Sequence, residues 1–377
     1  MTDFANRALL PAGLRDMLPP DAAFEANVVN QLMNGFAAHG YERVKPPLIE
    51  FEESLLDGAG AATSSHTFRV MDPLSQRMMG LRADMTPQVA RIATTRLAQV
   101  ARPLRLSYGG QVLRVKGTQL RPERQFGQAG IELIGSDSPA ADAEVLVLTA
   151  EALINLAVPG VSVDLALPTL IPVLFGELGL TGALAERMRA ALDHKDSATV
   201  AEAGTAAPLL ARLIAAAGPA DRAIAALKDL ALPPAAAAER DRLARVVELV
   251  RADLPGLTLT VDPVENRGFE YHTGVGFTLF ARNIGAELGR GGRYLAGGTE
   301  PATGATLFMD SVLSALAGPK PGPRVLVPAG TDRQRAKALR EQGWITVAGL
   351  EPGDGMSEAK RLGCGHVLGP DGLLDVQ

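Results

Sequence analysis

Residues 105–135, RLSYGGQVLRVKGTQLRPERQFGQAGIELIG, join two apolar, alternating ends through a middle crowded with basic and amide side chains. LRLSY and FGQAGIELIG alternate as strands do, and GTQLRPER between them has the Gly, Thr and Pro of an exposed loop. The segment therefore reads as a long β-hairpin. Up to the loop's return it sets Arg105, Arg114, Lys116, Arg121 and Arg124 against a single acid, Glu123. Gln128 and Glu132 lie an even number of positions apart, so both point to one face of the sheet, which Arg114 can share across the ladder. A guanidinium, an amide and a carboxylate on one face suit an amino acid or another small zwitterion. The plainer alternative is a solvated hairpin with ordinary surface charge.

The rest of the chain divides around this hairpin. Asp21 is placed to cap a first helix after Pro19 and Pro20, with Phe24, Val28, Val29, Leu32, Met33 and Phe36 as its apolar stripe and Gly40 at its end. A second helix is expected from Ser138-Pro139, with Asp142 and Glu144 in its first turn. From 168 to 254 the chain turns Ala-rich and helix-forming, a helical insertion between core segments 1–167 and 255–317. GPKPGP at 318–323 is a stiff linker to a small α/β domain, 318–377, in which Trp344 is expected to be a core residue.

A net charge of -5 and a pI near 5.7 give no overall pull toward nucleic acid. The single cysteine, Cys364, has no disulfide partner in the chain, and the scattered histidines suggest no metal site. The start MTDFANRALLPAG lacks a basic region followed by an apolar core, and the apolar stretch 145–158 is broken by Glu151 and Asn155. A cytoplasmic chain that does not span a membrane is expected.

Four stretches, in order, resemble class II aminoacyl-tRNA synthetases and specifically histidyl-tRNA synthetase. The hairpin is similar to that family's motif 2, and GLRADMTPQVARI at 80–92 to its strand and turn for the α-amino group. RGFEYHTG at 267–274 resembles its histidine motif, and GGRYLAGG at 291–298 the strand that follows. YERVKPPLIEFEESL has the strand and Pro-Pro of motif 1, which in the family builds a two-fold dimer. The resemblance implies an α+β fold: a class II synthetase-like antiparallel sheet flanked by helices, with the helical insertion and the small C-terminal α/β domain.

Residue by residue, the resemblance gives Asp84, Thr86 and Gln128 to the α-amino group, although Asp84 serves equally well as a helix cap before Thr86-Pro87. Arg114 stands where a carboxylate and the α-phosphate are met, and Arg267 where a guanidinium fork takes the substrate carboxylate. Glu132 would accept the imidazole N–H, with Tyr271 and Tyr294 around the ring. His272 replaces the second tyrosine of the motif. Arg121 and Arg124 stand at a regulatory anion site or in a plain solvated loop.

The departures are equally specific. In GATLFMDSVLSAL at 304–316, Ser311 stands where the synthetase's ATP-clamping arginine belongs, and Phe308 fills a position kept as glycine for the nucleotide. Lys116 replaces the acid that reads the adenine. An electrostatic group of this kind is worth ~3 to 4 kcal/mol, and adenylyl transfer depends on such cations. An amino-acid site without adenylation, no catalytic residue and no cofactor is implied.

This combination is similar to the regulatory-subunit family of ATP phosphoribosyltransferase. That similarity implies several expectations: a short-form catalytic subunit as partner, L-histidine as effector, a homodimer core within a hetero-octamer, no tRNA, and feedback control of the first step of histidine biosynthesis. An active histidyl-tRNA synthetase and a stand-alone histidine sensor are the alternatives.

Overall fold

The computed structural model describes residues 9–56, 58–117, 122–266 and 271–376. It falls into two compact units, Met1–Ala317 and Gly318–Gln377.

The larger unit is built on a nine-stranded sheet. Its strands are β1 (Glu42–Arg43), β5 (Leu104–Leu113), β6 (Gln125–Ile134), β7 (Ser162–Ala166), β8 (Gly218–Pro219), β9 (Thr258–Asp262), β10 (Gly276–Phe280), β11 (Gly289–Ala296) and β12 (Glu300–Phe308). Their spatial order is β1-β5-β6-β12-β11-β10-β7-β9-β8. The central run from β5 to β7 is antiparallel, whereas β1 on β5 and β9 on β7 are parallel. A separate small sheet holds β2 (Ile49–Phe51), β3 (Phe68–Met71) and β4 (Met78–Leu81).

β5 and β6 are the two arms of the expected hairpin, paired from Leu104↔Ile134 to Leu113↔Gln125. Partners directly opposite in the ladder share a face, so parity sorts their side chains. Ala129, Ile131 and Leu133 join the large core under the helices; Leu106, Tyr108, Val112 and Phe126 join a second cluster on the opposite face. Arg105 has the parity of the first set. It lies against the helices, forked onto Glu144 at 2.7 and 2.8 Å, and belongs to no anion site.

The first helix, α1 (Asp21–Ala38), buries Val28, Leu32, Met33 and Phe36. Its N-cap position is Pro20 with no side-chain cap, so Asp21 acts through charge in the first turn instead. The short helix α2 (Thr86–Arg91) follows β4, and α3 (Pro139–Asn155) is capped by Ser138, whose side chain accepts from Ala140 N. Five helices of 9 to 20 residues follow: α4 (Leu170–Leu178), α5 (Gly182–Asp193), α6 (Ala207–Ala215), α7 (Ala220–Lys228) and α8 (Pro234–Asp253). Their buried residues, among them Leu174, Met188, Leu213, Leu227 and Val246, merge with Ile131 and Val28 into one core. β8 lies within this helical stretch, adding a two-residue edge to β9. A last helix, α9 (Met309–Ala315), turns directly off the end of β12.

In the smaller unit β13 (Arg324–Val327), β14 (Ile345–Ala348) and β15 (His366–Leu368) are parallel, and β16 (Leu373–Asp375) runs antiparallel on β15. Asp332 and Asp354 cap α10 (Arg333–Glu341) and α11 (Gly355–Arg361). Trp344 precedes β14 and is half-buried against Val325, Val327 and Leu339, and Cys364 is a buried free thiol.

Candidate functional site

The sheet register builds the site. One row of facing positions runs Leu106, Glu132, Gly304, Gly292, Gly276 across β5, β6, β12, β11 and β10. After Glu132 come three glycines, so a trough without side chains crosses the sheet beside that carboxylate. The neighbouring rows are its banks: Tyr108, Gly130, Thr306 and Arg290 on one side, Ile134, Ala302 and Tyr294 on the other. The glycines are needed. A Cβ at Gly304 would fall on the Glu132 carboxylate, and at Gly292 it would strike the His272 ring.

Glu132 is fully buried. Tyr294 donates to its Oε2 at 2.9 Å and Tyr108 to its Oε1 at 3.3 Å. The Tyr108 hydroxyl also lies 2.6 Å from Thr306 Oγ1 and 3.2 Å from Thr86 Oγ1. Burial pushes the Glu132 carboxyl up to about 8, while the hydroxyls of Tyr294, Thr86 and Tyr108 pull the other way. Burial, reinforced by the nearby Glu132 charge, pushes the Tyr294 and Tyr108 phenols well up. The phenols are therefore donors, and the carboxyl is an acceptor whose ionised form improves when a cation or N–H donor arrives.

Next to this group, Gln128 is fully buried, accepts from Met85 N at 3.1 Å and donates to Asp84 Oδ2 at 3.4 Å. Asp84 Oδ1 accepts from Thr86 N at 2.8 Å. Asp84 thus closes a local turn ahead of α2 with one oxygen and turns the other toward Gln128, while the N-cap position itself is Met85, without a side-chain cap. Arg114 extends the site face of β5, its Nε 3.5 Å from the Ala83 carbonyl and its guanidinium 4.9 Å over the Phe126 ring. Tyr271 and His272 line the trough together with Glu132 and Tyr294; the Tyr271 ring lies 4.2 Å from His272 and edge-on to Tyr294 at 6.3 Å. Arg267 and Arg121 fall outside the described residues. Arg124 donates to the carbonyls of Ala12 at 3.1 Å and Arg114 at 3.3 Å, so it ties loops together.

At the far end of the same face Phe308 is buried with its ring edge-on to Phe126, centroids 6.2 Å apart. Ser311 is buried on α9, and that helix, MDSVLSA, carries no cation. Aromatic carbon fills this end, and α9 brings to it no cation of the kind that phosphates require.

The residues 13–312 match the family model described as histidyl-tRNA synthetase. A solved structure titled an ATP phosphoribosyltransferase regulatory subunit/histidyl-tRNA synthetase, from Bacillus halodurans, superimposes with a TM-score of 0.81 at 23% identity, covering 94% of this chain and 96% of its own. The curated ATP phosphoribosyltransferase regulatory subunit of Paramagnetospirillum magneticum is 76% identical over 100% of both chains, and that of Rhodospirillum centenum 58% identical over 99% of this chain and 97% of its own. The chain belongs to the ATP phosphoribosyltransferase regulatory subunit family. It is a regulatory chain on a histidyl-tRNA synthetase-like fold, not a catalytic one, and the class II α+β architecture read from its motifs is the one it has.

Sequence reasoning missed the buried pair that holds this regulatory chain's site in register. Asp142, on the first turn of α3, accepts from Thr303 Oγ1 at 2.6 Å, from Arg293 Nε at 3.3 Å and from Arg242 Nη2 at 3.1 Å, and pairs with the Arg293 guanidinium, Nη2 to Oδ1, at 2.8 Å. Arg293 also reaches the carbonyls of Ser136 and Ser138, at 3.0 and 3.1 Å. It thereby fixes β11 on the face opposite its neighbour Tyr294. Tyr108 and Thr306 were missed as well. Tyr108 has the parity of Arg114 on β5, a signal available in the sequence. Thr306 needed the β6–β12 register, which is not.

Among the described residues no group of His, Cys, Asp and Glu could hold a metal ion, and no helix is long and apolar enough to cross a membrane.

Proposed function

We propose that this chain is the non-catalytic subunit through which a short-form ATP phosphoribosyltransferase is activated and through which L-histidine inhibits it, in the first step of histidine biosynthesis. The observation that carries the reading is one sheet face with two different ends. At one end the buried Glu132, Tyr294, Tyr108, Thr86 and Gln128, with the half-buried Asp84, form a set of acceptors and hydroxyls fitted to an imidazole and an ammonium. At the other, Phe308 packs edge-on to Phe126 and the buried Ser311 leaves α9 without a cation to clamp a triphosphate. The site is thus suited to bind histidine and unsuited to adenylate it. Arg267 completes it in this reading as the partner of the substrate carboxylate. The names of the curated relatives support an ATP phosphoribosyltransferase partner.

The assembly is a homodimer of this chain combined with catalytic dimers in a hetero-octamer, located in the cytoplasm and without tRNA, in keeping with the net charge of -5. The three-part division into core, helical insertion and small C-terminal domain belongs to the same reading, with the insertion sharing the core's hydrophobic interior.

The test is phosphoribosyl-ATP formation by the short catalytic chain of the same organism, with and without this chain and then with histidine. Stimulation reversed by histidine is expected. A catalytic chain indifferent to this one, with histidine-dependent ATP–pyrophosphate exchange by the purified chain, would replace this reading with the synthetase.

A further inference from the structure

The trough beside Glu132 is narrow. The free space among Thr86, Glu132, Tyr271, His272, Tyr294 and Thr306 is about 20 Å³, room for little more than one water molecule. What fills it can be read from the glycine row. Glu132's carboxylate lies over Gly304, and the His272 ring lies over Gly292, directly opposite Gly304 on the next strand. Facing positions on adjacent strands are about 5 Å apart, so the chain's own imidazole and the carboxylate of the site stand over neighbouring strands and line one space. A Cβ at Gly292 would stand 2.8 Å from His272 Nε2 and closer still to Cδ2. His272 is 9% exposed, and Tyr271 stacks on its outer side with centroids 4.2 Å apart.

We infer that His272 is the resident occupant of this compartment, an intramolecular imidazole that a free histidine must displace in order to bind. The inference rests on the reading of the trough as a histidine site and adds how that site is regulated. A five-membered ring needs several times the space now open, and the aromatic bank and the glycine floor that would receive it already receive His272. The apparent affinity for histidine is then the intrinsic affinity reduced by the fraction of molecules whose trough is vacated. Minor states of this kind hold about 0.1–10% of the population, so removing the resident ring should tighten binding about ten-fold or more.

The test is calorimetric titration of L-histidine into the full chain, its H272A and H272F variants, and E132Q. H272A should bind about ten-fold or more tightly than the native chain, H272F, which keeps a ring, no more tightly than it, and free imidazole should compete with histidine far better in H272A. In the native protein, ring C–H resonances of the five histidines supply a second measurement that requires no folded variant. The His272 signal, assigned by its loss in H272F, should move as histidine saturates. Native binding abolished by E132Q but unimproved in H272A, or a His272 signal that stays fixed at saturation, would overturn the resident imidazole while leaving the histidine site in place. No histidine binding by any of these proteins would overturn both.

Discussion

Glu132→Gln should change how stability depends on pH. The carboxyl has an ordinary value of 4.5 and is raised to about 8 in the fold, chiefly because burial penalises the charged form. Below pH 4.5 it is protonated in both folded and unfolded chains and contributes nothing. Between 4.5 and 8 the unfolded chain has lost its proton while the folded one retains it, so stability falls as pH rises, by about 1.4 kcal/mol per unit. Above 8 both are ionised and the full penalty stands, on the order of 5 kcal/mol. Native domains hold only about 5–15 kcal/mol, so a loss of this size is conspicuous. Glutamine keeps the shape and an acceptor for the Tyr294 hydroxyl but has no proton to lose. The assay is urea unfolding at fixed protein concentration from acid to mildly alkaline pH, followed by far-ultraviolet circular dichroism. The E132Q midpoint should overtake that of the native chain progressively through neutrality and stop gaining above the carboxyl's titration. Midpoints that move in parallel across that range would refute the reasoning.

Three further outcomes follow from the same geometry. Asp142→Ala leaves the Arg293 guanidinium, 3% exposed, without its main carboxylate and should cost about 3–5 kcal/mol in denaturant unfolding; a cost below that of an ordinary surface change would remove the pair's positioning role. Ser311→Arg forces a long cation into a buried position on α9 and should destabilise by at least about 1–3 kcal/mol without creating ATP–pyrophosphate exchange; detectable exchange would mean that Phe308 and Lys116 matter less than argued. Gly304→Ala sets a methyl group on the Glu132 carboxylate and should abolish histidine's effect on phosphoribosyl-ATP formation while the chains still co-elute; retained inhibition would move the effector site elsewhere.

What the sequence disclosed follows period and chemistry. Gln128 and Glu132 could be assigned to one face because strand side chains alternate without exception along an unbulged ladder, and the paired register of β5 and β6 leaves none of that alternation broken. Arg105 was counted with the hairpin's other cations along the chain; its odd parity relative to Arg114 sends it to the helices and Glu144. Asp21 looked like a cap because Asp, Asn, Ser and Thr dominate that position, yet the helix begins one residue earlier than such a cap allows, with Pro20 there. Asp142 carried only the signature of a first-turn acid, and its meeting with Arg293, 151 residues away, depends on how α3 lies on β11 and β12. The glycine trough was present in the sequence as GGR and TGAT, but only the ladder aligns Gly304, Gly292 and Gly276.

The partition of aromatic residues between the two units has a practical consequence. Tyr41, Tyr108, Tyr271 and Tyr294, the four tyrosines, all lie in the larger unit, and Trp344, the single tryptophan, lies in the smaller one, its ring edge-on to His366 at 4.8 Å. Indole emission therefore watches the small unit alone and phenol emission the large one, so the protein carries two intrinsic reporters that need no label. The order in which the units melt can be read from one sample, and any change in indole emission when histidine is added would mean that the small unit registers an event on the other unit's sheet.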